Sequence, residues 1–183
     1  MNVILACDSE YGIGINNDLP PWNLKEDMLR FKKITIGNGN NVVIMGKNTY
    51  LSLKKRALPD RINIVVSETL FDELNIIRYI EYEGFFIFKN LNEAKHYADI
   101  ITCKNDGKIW VIGGAQLYES CFNNYEIVSL YITFINNKFC CDTFLKKKTI
   151  DYIKNCNWIN TVNKKNEKFT YQYNEYEKNS SKN

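Results

Sequence analysis

The chain alternates short, nearly continuous apolar runs with stretches whose apolar residues recur at helical spacing. The runs Val3–Cys7, Asn41–Met45, Ile62–Ser67, Phe85–Phe88, Lys108–Ile112 and Val128–Phe134 are rich in β-branched and aromatic residues, which predicts strands buried on both faces. Between them, Asn23–Thr35, Thr49–Leu53, Leu91–Ile101 and Ala115–Phe122 carry the helical period. Strand and helix in alternation predict βαβ units, hence an α/β fold with a central, mostly parallel twisted sheet flanked by helices. The end of the chain reads differently. Trp158–Val162 and Phe169–Glu177 alternate apolar with polar around Lys164-Lys165-Asn166-Glu167, as an antiparallel hairpin does. There is no internal repeat, linker-like shift or low-complexity tract, so residues 1–177 read as a single domain and residues 178–183 as a frayed polar tail.

One helix breaks its own pattern. Asn23 is placed to cap the Asn23–Thr35 helix, with Glu26 closing a capping box three residues on. At about 100° per residue, Leu24, Met28, Phe31, Ile34 and Thr35 share a stripe. Asp27 falls inside that stripe, whereas Glu26 and Lys33 point away. A carboxylate on an apolar face costs several kcal/mol unless it is paired or protonated. Asp27 is therefore either a structural acid, capping backbone or paired with an Arg, or an acid held in a pocket for chemistry or ligand binding.

Composition acts mainly by exclusion. A balance of 24 basic against 21 acidic residues, net +3, leaves no electrostatic footprint for nucleic acid as the main partner. The six cysteines show no C-x-x-C spacing and there is no export signal, so neither a disulfide framework nor a metal site is expected. No run approaches the roughly 20 apolar residues of a membrane helix. A cytoplasmic protein with nothing removed from its N-terminus is the expectation. His96, the only histidine, lies opposite the Ala94–Tyr97–Ala98–Ile101 stripe of its helix, which removes histidine-based triads from consideration.

Three other features carry candidate chemistry. Gly12-Ile13-Gly14 leads into a long irregular segment ending in Leu19-Pro20-Pro21-Trp22, too long for a simple link and suited to an ordered lid, with Trp22 as its anchor or as a pocket wall. Ile44-Met45-Gly46-Lys47-Asn48-Thr49 and Ile112-Gly113-Gly114-Ala115-Gln116 both run from buried strand through glycine into helix. Each is either ordinary turn chemistry or an anion site made of backbone N–H groups, and two together suggest a ligand with a diphosphate or several anionic groups. Neither a G-x-G-x-x-G fingerprint nor a P-loop is present. Arg61, after Leu58-Pro59-Asp60, is either a surface charge at a turn or a fork for a carboxylate.

In order along the chain, these residues resemble one family, the dihydrofolate reductases. The resemblance runs from Val3 to about Phe144 and weakens in the terminal hairpin. It rests on Ala6, Gly12-Ile13-Gly14, Leu19-Pro20-Pro21-Trp22, Asp27 with Phe31, Met45-Gly46-Lys47-Asn48-Thr49-Tyr50-Leu51-Ser52-Leu53, Leu58-Pro59-Asp60-Arg61, Val111-Ile112-Gly113-Gly114 with Tyr118, Tyr131-Ile132-Thr133, and Cys141-Asp142-Thr143-Phe144. The resemblance implies an NADPH-dependent oxidoreductase that passes hydride from C4 of NADPH to C6 of 7,8-dihydrofolate, with protonation at N5. The product is tetrahydrofolate for one-carbon metabolism and thymidylate synthesis, and such enzymes are antifolate targets. Asp27, Trp22, Tyr118 and Thr133 are the implied catalytic set, with Thr133 bonded to Asp27 and Asp27 tuning the site while a water admitted by the Gly14–Trp22 loop delivers the proton.

Ile4, Ala6, Met28, Phe31, Ser52, Leu53, Leu58, Arg61 and Ile112 are the implied substrate residues, with Arg61 on the glutamate-tail carboxylate. Ala6, Ile13, Gly14, Gly46, Lys47, Asn48, Thr49, Val66, Ser67, Lys89, Gly113, Gly114, Ala115, Gln116 and Leu117 are implied for NADPH, with a cis peptide between Gly113 and Gly114. The partners implied are the two small molecules, and the chain is expected to be a monomer.

Three departures from the family pattern stand out. Two prolines in place of one, at Pro20-Pro21, predict altered loop opening and product release. Glu68 stands where the cofactor's 2′-phosphate is expected, so Lys47 and Lys89 must carry the preference for NADPH, with a reduced margin over NADH. Leu145-Lys146 replaces a proline and is expected only to relax a loop. Two other readings compete: the same-fold pyrimidine reductase of riboflavin synthesis, which is not expected to pair Trp22 with an inward Asp27, and a catalytically dead nucleotide- or RNA-binding relative, which nothing in the chain supports.

Overall fold

A computed structural model describes residues 1–76 and 80–178. In chain order the elements are β1 (Asn2–Cys7), β2 (Gly12–Gly14), α1 (Lys25–Ile36), β3 (Val42–Gly46), α2 (Lys47–Ser52), β4 (Ile62–Val66), α3 (Glu68–Glu73), β5 (Ile80–Tyr82), β6 (Phe85–Phe88), α4 (Leu91–Asn105), β7 (Ile109–Gly113), α5 (Ala115–Asn124), β8 (Ser129–Ile135), β9 (Thr143–Phe144), α6 (Lys147–Lys154), β10 (Asn160–Lys165) and β11 (Thr170–Glu177). Nine strands form one sheet in the order β10-β11-β8-β1-β7-β3-β4-β6-β5. Its centre, from β8 to β6, is parallel, while β11 pairs antiparallel with β8, β10 with β11, and β5 with β6.

The continuous apolar runs have a direct cause. Successive side chains of a strand point to opposite faces, and both faces are covered. Val3, Leu5, Cys7, Val42, Ile44, Ile64, Ile109 and Val111 belong to one core, with Leu91, Ala94 and Ala98 of α4, Leu117, Tyr118 and Cys121 of α5 and Ile153 of α6. The alternate positions Ile4, Val43, Met45, Val65 and Trp110 belong to a second, with Tyr50 of α2 and Phe71 of α3, against which Phe31 and Ile34 of α1 pack. A third, smaller cluster joins Leu24, Ile135 and Tyr171 with Trp22, Phe139, Phe169 and Tyr173, and closes the end of the sheet where the hairpin attaches. The outermost strand β10 is exposed along its whole length, its lysines at the open edge discouraging further pairing.

The six predicted strands before the hairpin lie within one residue of their expected bounds, whereas the first hairpin strand runs Asn160–Lys165 and takes in two residues of the expected turn; other local features also differ. The expected capping box does not form. Asn23 has positive φ, Leu24 is the N-cap without a side-chain cap, and Glu26 instead accepts from the Tyr171 hydroxyl at 2.6 Å. Burial of Leu24 against Ile135 and Tyr171 sets how the chain enters α1, and this outweighs the cap. The apolar stripe of α1 is covered at its two ends and open between them: Leu24 and Thr35 are buried, whereas Met28 is 51% exposed. Helix α2 starts at Lys47 rather than Thr49, and the hairpin strands begin at Asn160 and Thr170. Leu145-Lys146 does more than relax a loop, since Leu145 is buried in the first core and Lys146 is the N-cap of α6. The pattern missed β2, β5, α3, β9 and α6, which are short, α6 spanning only eight residues and opening on two lysines. Lys178 is tied by its backbone N–H to Val128 O at 2.8 Å; the rest of the expected tail, 179–183, lies outside the described residues.

Candidate active site

Both glycine junctions sit at the carboxyl ends of adjacent parallel strands, β3 and β7, where open α/β sheets place their ligand crevices. From β3 the chain turns through Gly46 into α2, and from β7 through Gly113 and Gly114 into α5. The Gly113–Gly114 peptide is cis, as expected, and Gly113 has φ +136°. A Cβ on Gly46 would lie 3.6 Å from Gly114 N, and one on Gly113 would lie 2.8 Å from Thr49 Oγ1. Bare backbone is therefore required at Gly113, whereas a Cβ on Gly46 would make only an ordinary contact with the facing junction.

Beside them opens a cavity of about 700 Å³. Its walls include Ile13, Gly14, Gly46, Lys47, Asn48, Thr49, Val66, Ser67, Lys89, Gly114, Ala115, Gln116 and Leu117. Of the residues implied for the cofactor, only Ala6 and Gly113 are not in the lining. Asn17, Asp18, Leu19, Ser52, Glu68, Thr69, Leu91, Ser120, Thr143, Phe144 and Lys146 also line it; of these only Glu68 was expected beside the cofactor.

The front of this cavity is a tied loop. Ile15 and Asp18 exchange backbone hydrogen bonds, Asn16 N donates to Asp142 Oδ2 at 2.7 Å, and Asn48 Nδ2 donates to Asn17 Oδ1 at 3.0 Å. Asn16 and Asn17 both have positive φ, which asparagine tolerates better than most residues. Just before it, β2 pairs with β9, so the loop's root is fixed to the 142–144 segment.

Two lysines of the cleft are already engaged. Lys47 Nζ bonds Glu73 at 2.9 Å and Thr69 at 3.1 Å, and Lys89 Nζ lies 3.2 Å from Glu68 and 3.5 Å from Asp72. The carboxylates come from α3, the helix the sequence pattern missed, so acid on this rim is not confined to Glu68. These contacts keep the Lys89 ammonium above the ordinary lysine range.

The acid-bearing helix lies over the other side of β1. Thr133 of β8 is opposite Ala6 of β1 and donates from Oγ1 to Asp27 Oδ1. Burial pushes the Asp27 carboxyl above the usual carboxylate range, against the opposing pull of the Thr133 hydrogen bond and of Arg30. Arg30, which sequence reasoning passed over, bonds Glu175 of β11 at 2.9 Å. Its guanidinium lies 4.4 Å from the Tyr173 ring centre and 5.4 Å from that of Tyr131. The i, i+3 spacing from Asp27 was a usable signal for Arg30; Glu175 could be found only through the hairpin's attachment to β8.

The remaining expected residues spread around these two groups. Trp22 is an anchor, packed edge-on to Phe139 at 5.5 Å. The Tyr118 hydroxyl donates to Ile4 O at 2.9 Å and ties α5 to β1, with its acidity suppressed by burial. Phe31, Leu53, Leu58 and Ile112 are partly buried against the second core, and Ser52 donates to Thr49 O. Arg61 is half-buried, donating from Nε to Pro59 O at 3.0 Å and from Nη1 to Thr35 Oγ1 at 2.7 Å, which fixes its plane and leaves the Nη2 edge outside these bonds.

Comparison with known proteins agrees with this geometry. The family model described as dihydrofolate reductase matches residues 1–178. The Drosophila melanogaster dihydrofolate reductase is 37% identical over 150 residues, spanning 78% of this chain and 77% of its own. That of Sus scrofa is 29% identical over 189 residues and 98% of both chains. Among solved structures, dihydrofolate reductase from Enterococcus faecalis complexed with NADP(H) and RAB-propyl superposes with a TM-score of 0.77 at 27% identity, covering 97% of this chain and 95% of that one. With a match running from β1 through the last described residue, and relatives of this similarity, the chain belongs to the dihydrofolate reductase family.

Proposed function

We propose that the chain reduces 7,8-dihydrofolate to tetrahydrofolate, using NADPH. The observation that carries this reading is the pairing of two unlike groups about β1: a partly buried acid held by Thr133 on the β8 side, and a glycine-lined cleft reached through β7 on the other. The cleft fits the cofactor on its own terms. Gly46 and Gly114 leave space that a side chain would fill, the backbone N–H groups opening α5 face an anion favourably, and Lys47 and Lys89 stand on the rim. The Enterococcus faecalis relative, complexed with NADP(H), supports the same assignment. When bound, NADPH supplies the hydride.

This chain's residues do the rest by orientation and electrostatics. Asp27 accepts from the pterin's 2-amino group and adjacent ring nitrogen, a paired, charge-assisted contact that offsets its burial. Thr133 holds one carboxylate oxygen so that the other faces the substrate. Ile4, Ala6, Met28, Phe31, Leu53 and Ile112 provide the apolar walls, and the Nη2 edge of Arg61 takes the carboxylate of the substrate's tail. Protonation at N5 comes from a water admitted past the Gly14–Trp22 loop, at a potential that Asp27 sets. Within the described residues no helix is long and apolar enough to cross a membrane, and all six cysteines are free thiols, which supports a reducing compartment, the cytoplasm.

The test is NADPH oxidation followed at 340 nm with purified protein and dihydrofolate. Turnover dependent on both compounds is expected; an intact protein that binds NADPH but shows no turnover contradicts the reading.

A further inference from the structure

Arg30 has no part in the reaction as derived so far, yet its surroundings are built with more care than a surface cation needs. It lies on α1 one helical turn after Asp27, at the i, i+3 spacing that makes two side chains neighbours. Its side chain and that of Glu175 are only 14% and 26% exposed. The register of the sheet shows where the charge is held: Thr133 of β8 is opposite Tyr173 of β11, and Tyr131 is opposite Glu175. The Arg30 contacts, the Glu175 carboxylate and the Tyr131 and Tyr173 rings, therefore surround Thr133, the residue that grips Asp27. Glu175 is held in turn by Asn160 of β10, whose Nδ2 donates to its second oxygen at 3.2 Å.

We propose that Arg30 is a positioning residue, a fixed positive charge set beside Asp27 by Glu175, Tyr131 and Tyr173, and that the Arg30–Glu175 pair governs the pH dependence of the reaction. The inference rests on the reading of Asp27 as the substrate-facing acid.

The physics fixes the signs. A guanidinium stays charged at every working pH, so Arg30 favours ionised Asp27 throughout, against the burial that favours the neutral acid. Glu175 carries the opposite sign and cancels part of that effect. The other titratable groups facing this region are Glu26 of α1, bonded to Tyr171, and Tyr171 and Tyr173 of β11. Tyr131 of β8 donates to Glu177 of β11 at 2.9 Å. The tyrosines stay neutral near pH 7, since burial raises Tyr131, Tyr171 and Tyr173. The Arg30–Glu175 pair is thus the adjustable charge beside Asp27, apart from Glu26.

Removing either partner breaks the same ion pair but moves Asp27 in opposite directions. Arg30→Gln withdraws the cation and leaves Glu175 uncompensated, so Asp27 holds its proton to higher pH. Glu175→Gln frees the cation, so Asp27 loses its proton at lower pH. At a helical-neighbour separation of about 6 Å and an effective dielectric of 20 to 40, Arg30→Gln is expected to displace Asp27 by about one to two pH units upward, and Glu175→Gln, whose carboxylate lies on β11 beyond Arg30, by a smaller amount downward.

Two readouts test this: the carboxyl titration of Asp27 by ¹³C NMR in the free protein, assigned by its absence in Asp27→Asn, and the pH profile of single-turnover NADPH oxidation with dihydrofolate. We expect Arg30→Gln to shift both upward, Glu175→Gln to shift both downward, and Arg30→Lys to stay near wild type. A role in packing alone predicts lower melting temperatures for both variants with titrations unmoved or displaced in the same direction, and that result overturns the proposal. Opposite shifts in the NMR titration of a protein that never turns over dihydrofolate keep the charge coupling and overturn the substrate reading. Unmoved titrations in an active enzyme overturn the coupling alone. If Arg30→Gln does not fold, Glu175→Gln still decides, since only the charge account sends its titration downward.

Discussion

Asp8 supports a sharp test of how the cleft is held. It is fully buried at the end of β1, and its carboxylate accepts three backbone N–H groups. Oδ1 takes those of Glu10 at 2.9 Å and Gly12 at 2.7 Å, and Oδ2 takes that of Phe139 at 3.0 Å. One side chain thus ties the turn leading into β2 to the segment leading into β9, the pair that roots the loop in front of the cavity. Gly12 is pressed against the same segment, since a Cβ there would lie 2.5 Å from the Cys141 Cβ. Asp8→Ala leaves the buried Gly12 N–H and the partly buried Phe139 N–H unpaired, whereas the exposed Glu10 can turn its N–H to water. At about 1–3 kcal/mol for each buried donor, less what is regained by no longer burying a charge, the expected loss is about 2–4 kcal/mol. For a chain of this size that lowers Tm by roughly 5–15 °C. Asp8→Asn keeps one acceptor but turns an NH₂ towards the remaining N–H, so it falls between wild type and Ala. Urea denaturation followed by far-UV circular dichroism measures both. An Ala variant within about 1 kcal/mol of wild type, or an Asn variant no better than Ala, refutes the clamp.

Three further outcomes follow from the same geometry. Asp27 is raised by burial, so its ionisation opposes folding: the cost is absent below the unfolded carboxylate value and grows as pH rises through the folded one. Asp27→Asn should therefore melt above wild type at pH 8, with the gap closing as pH falls towards 4, and a gap that widens at low pH contradicts the sign. A Cβ at Gly46 meets Gly114 N at an ordinary contact distance, so Gly46→Ala should fold normally. It should nevertheless lose about tenfold or more in NADPH affinity by fluorescence titration, because the side chain fills the space the cofactor needs. Glu68→Gln releases one of the two acids on Lys89, and the ratio of NADPH to NADH affinity should rise about two- to fivefold; an unchanged ratio means the rim acids do not act on the cofactor's phosphate.

Periodicity exposed what is repeated and concealed what depends on contact. Two-faced burial shows as unbroken apolar runs, so the strands of the parallel core were legible to within one residue. Asp27 was legible for the opposite reason, as a charge where the stripe called for an apolar residue. Helix α3 is six residues long, too short to display a period, and with it went Glu73 on Lys47 and Asp72 on Lys89, leaving Glu68 as the one rim acid that was legible. Glu26 looked like a capping partner because local rules see only three residues ahead. Its actual partner, Tyr171, lies 145 residues away across the hairpin. Asp8 carries no signal of its own in the sequence, since only the return of the 137–139 segment gives its second oxygen a donor. The Arg30–Glu175 pair was hidden in the same way, one half on a helix and the other on a strand whose attachment to β8 no short window reveals.

Asp27 carries the proposed chemistry. Single-turnover oxidation of NADPH by dihydrofolate, followed at 340 nm in wild type and Asp27→Asn across pH, isolates its contribution. The expected result is a collapse of the rate in Asp27→Asn at neutral pH that recovers in part as the solution is acidified and the substrate arrives already protonated. An Asp27→Asn variant that reduces dihydrofolate at the wild-type rate at neutral pH would contradict the assignment of the acid, and with it the reading of the site.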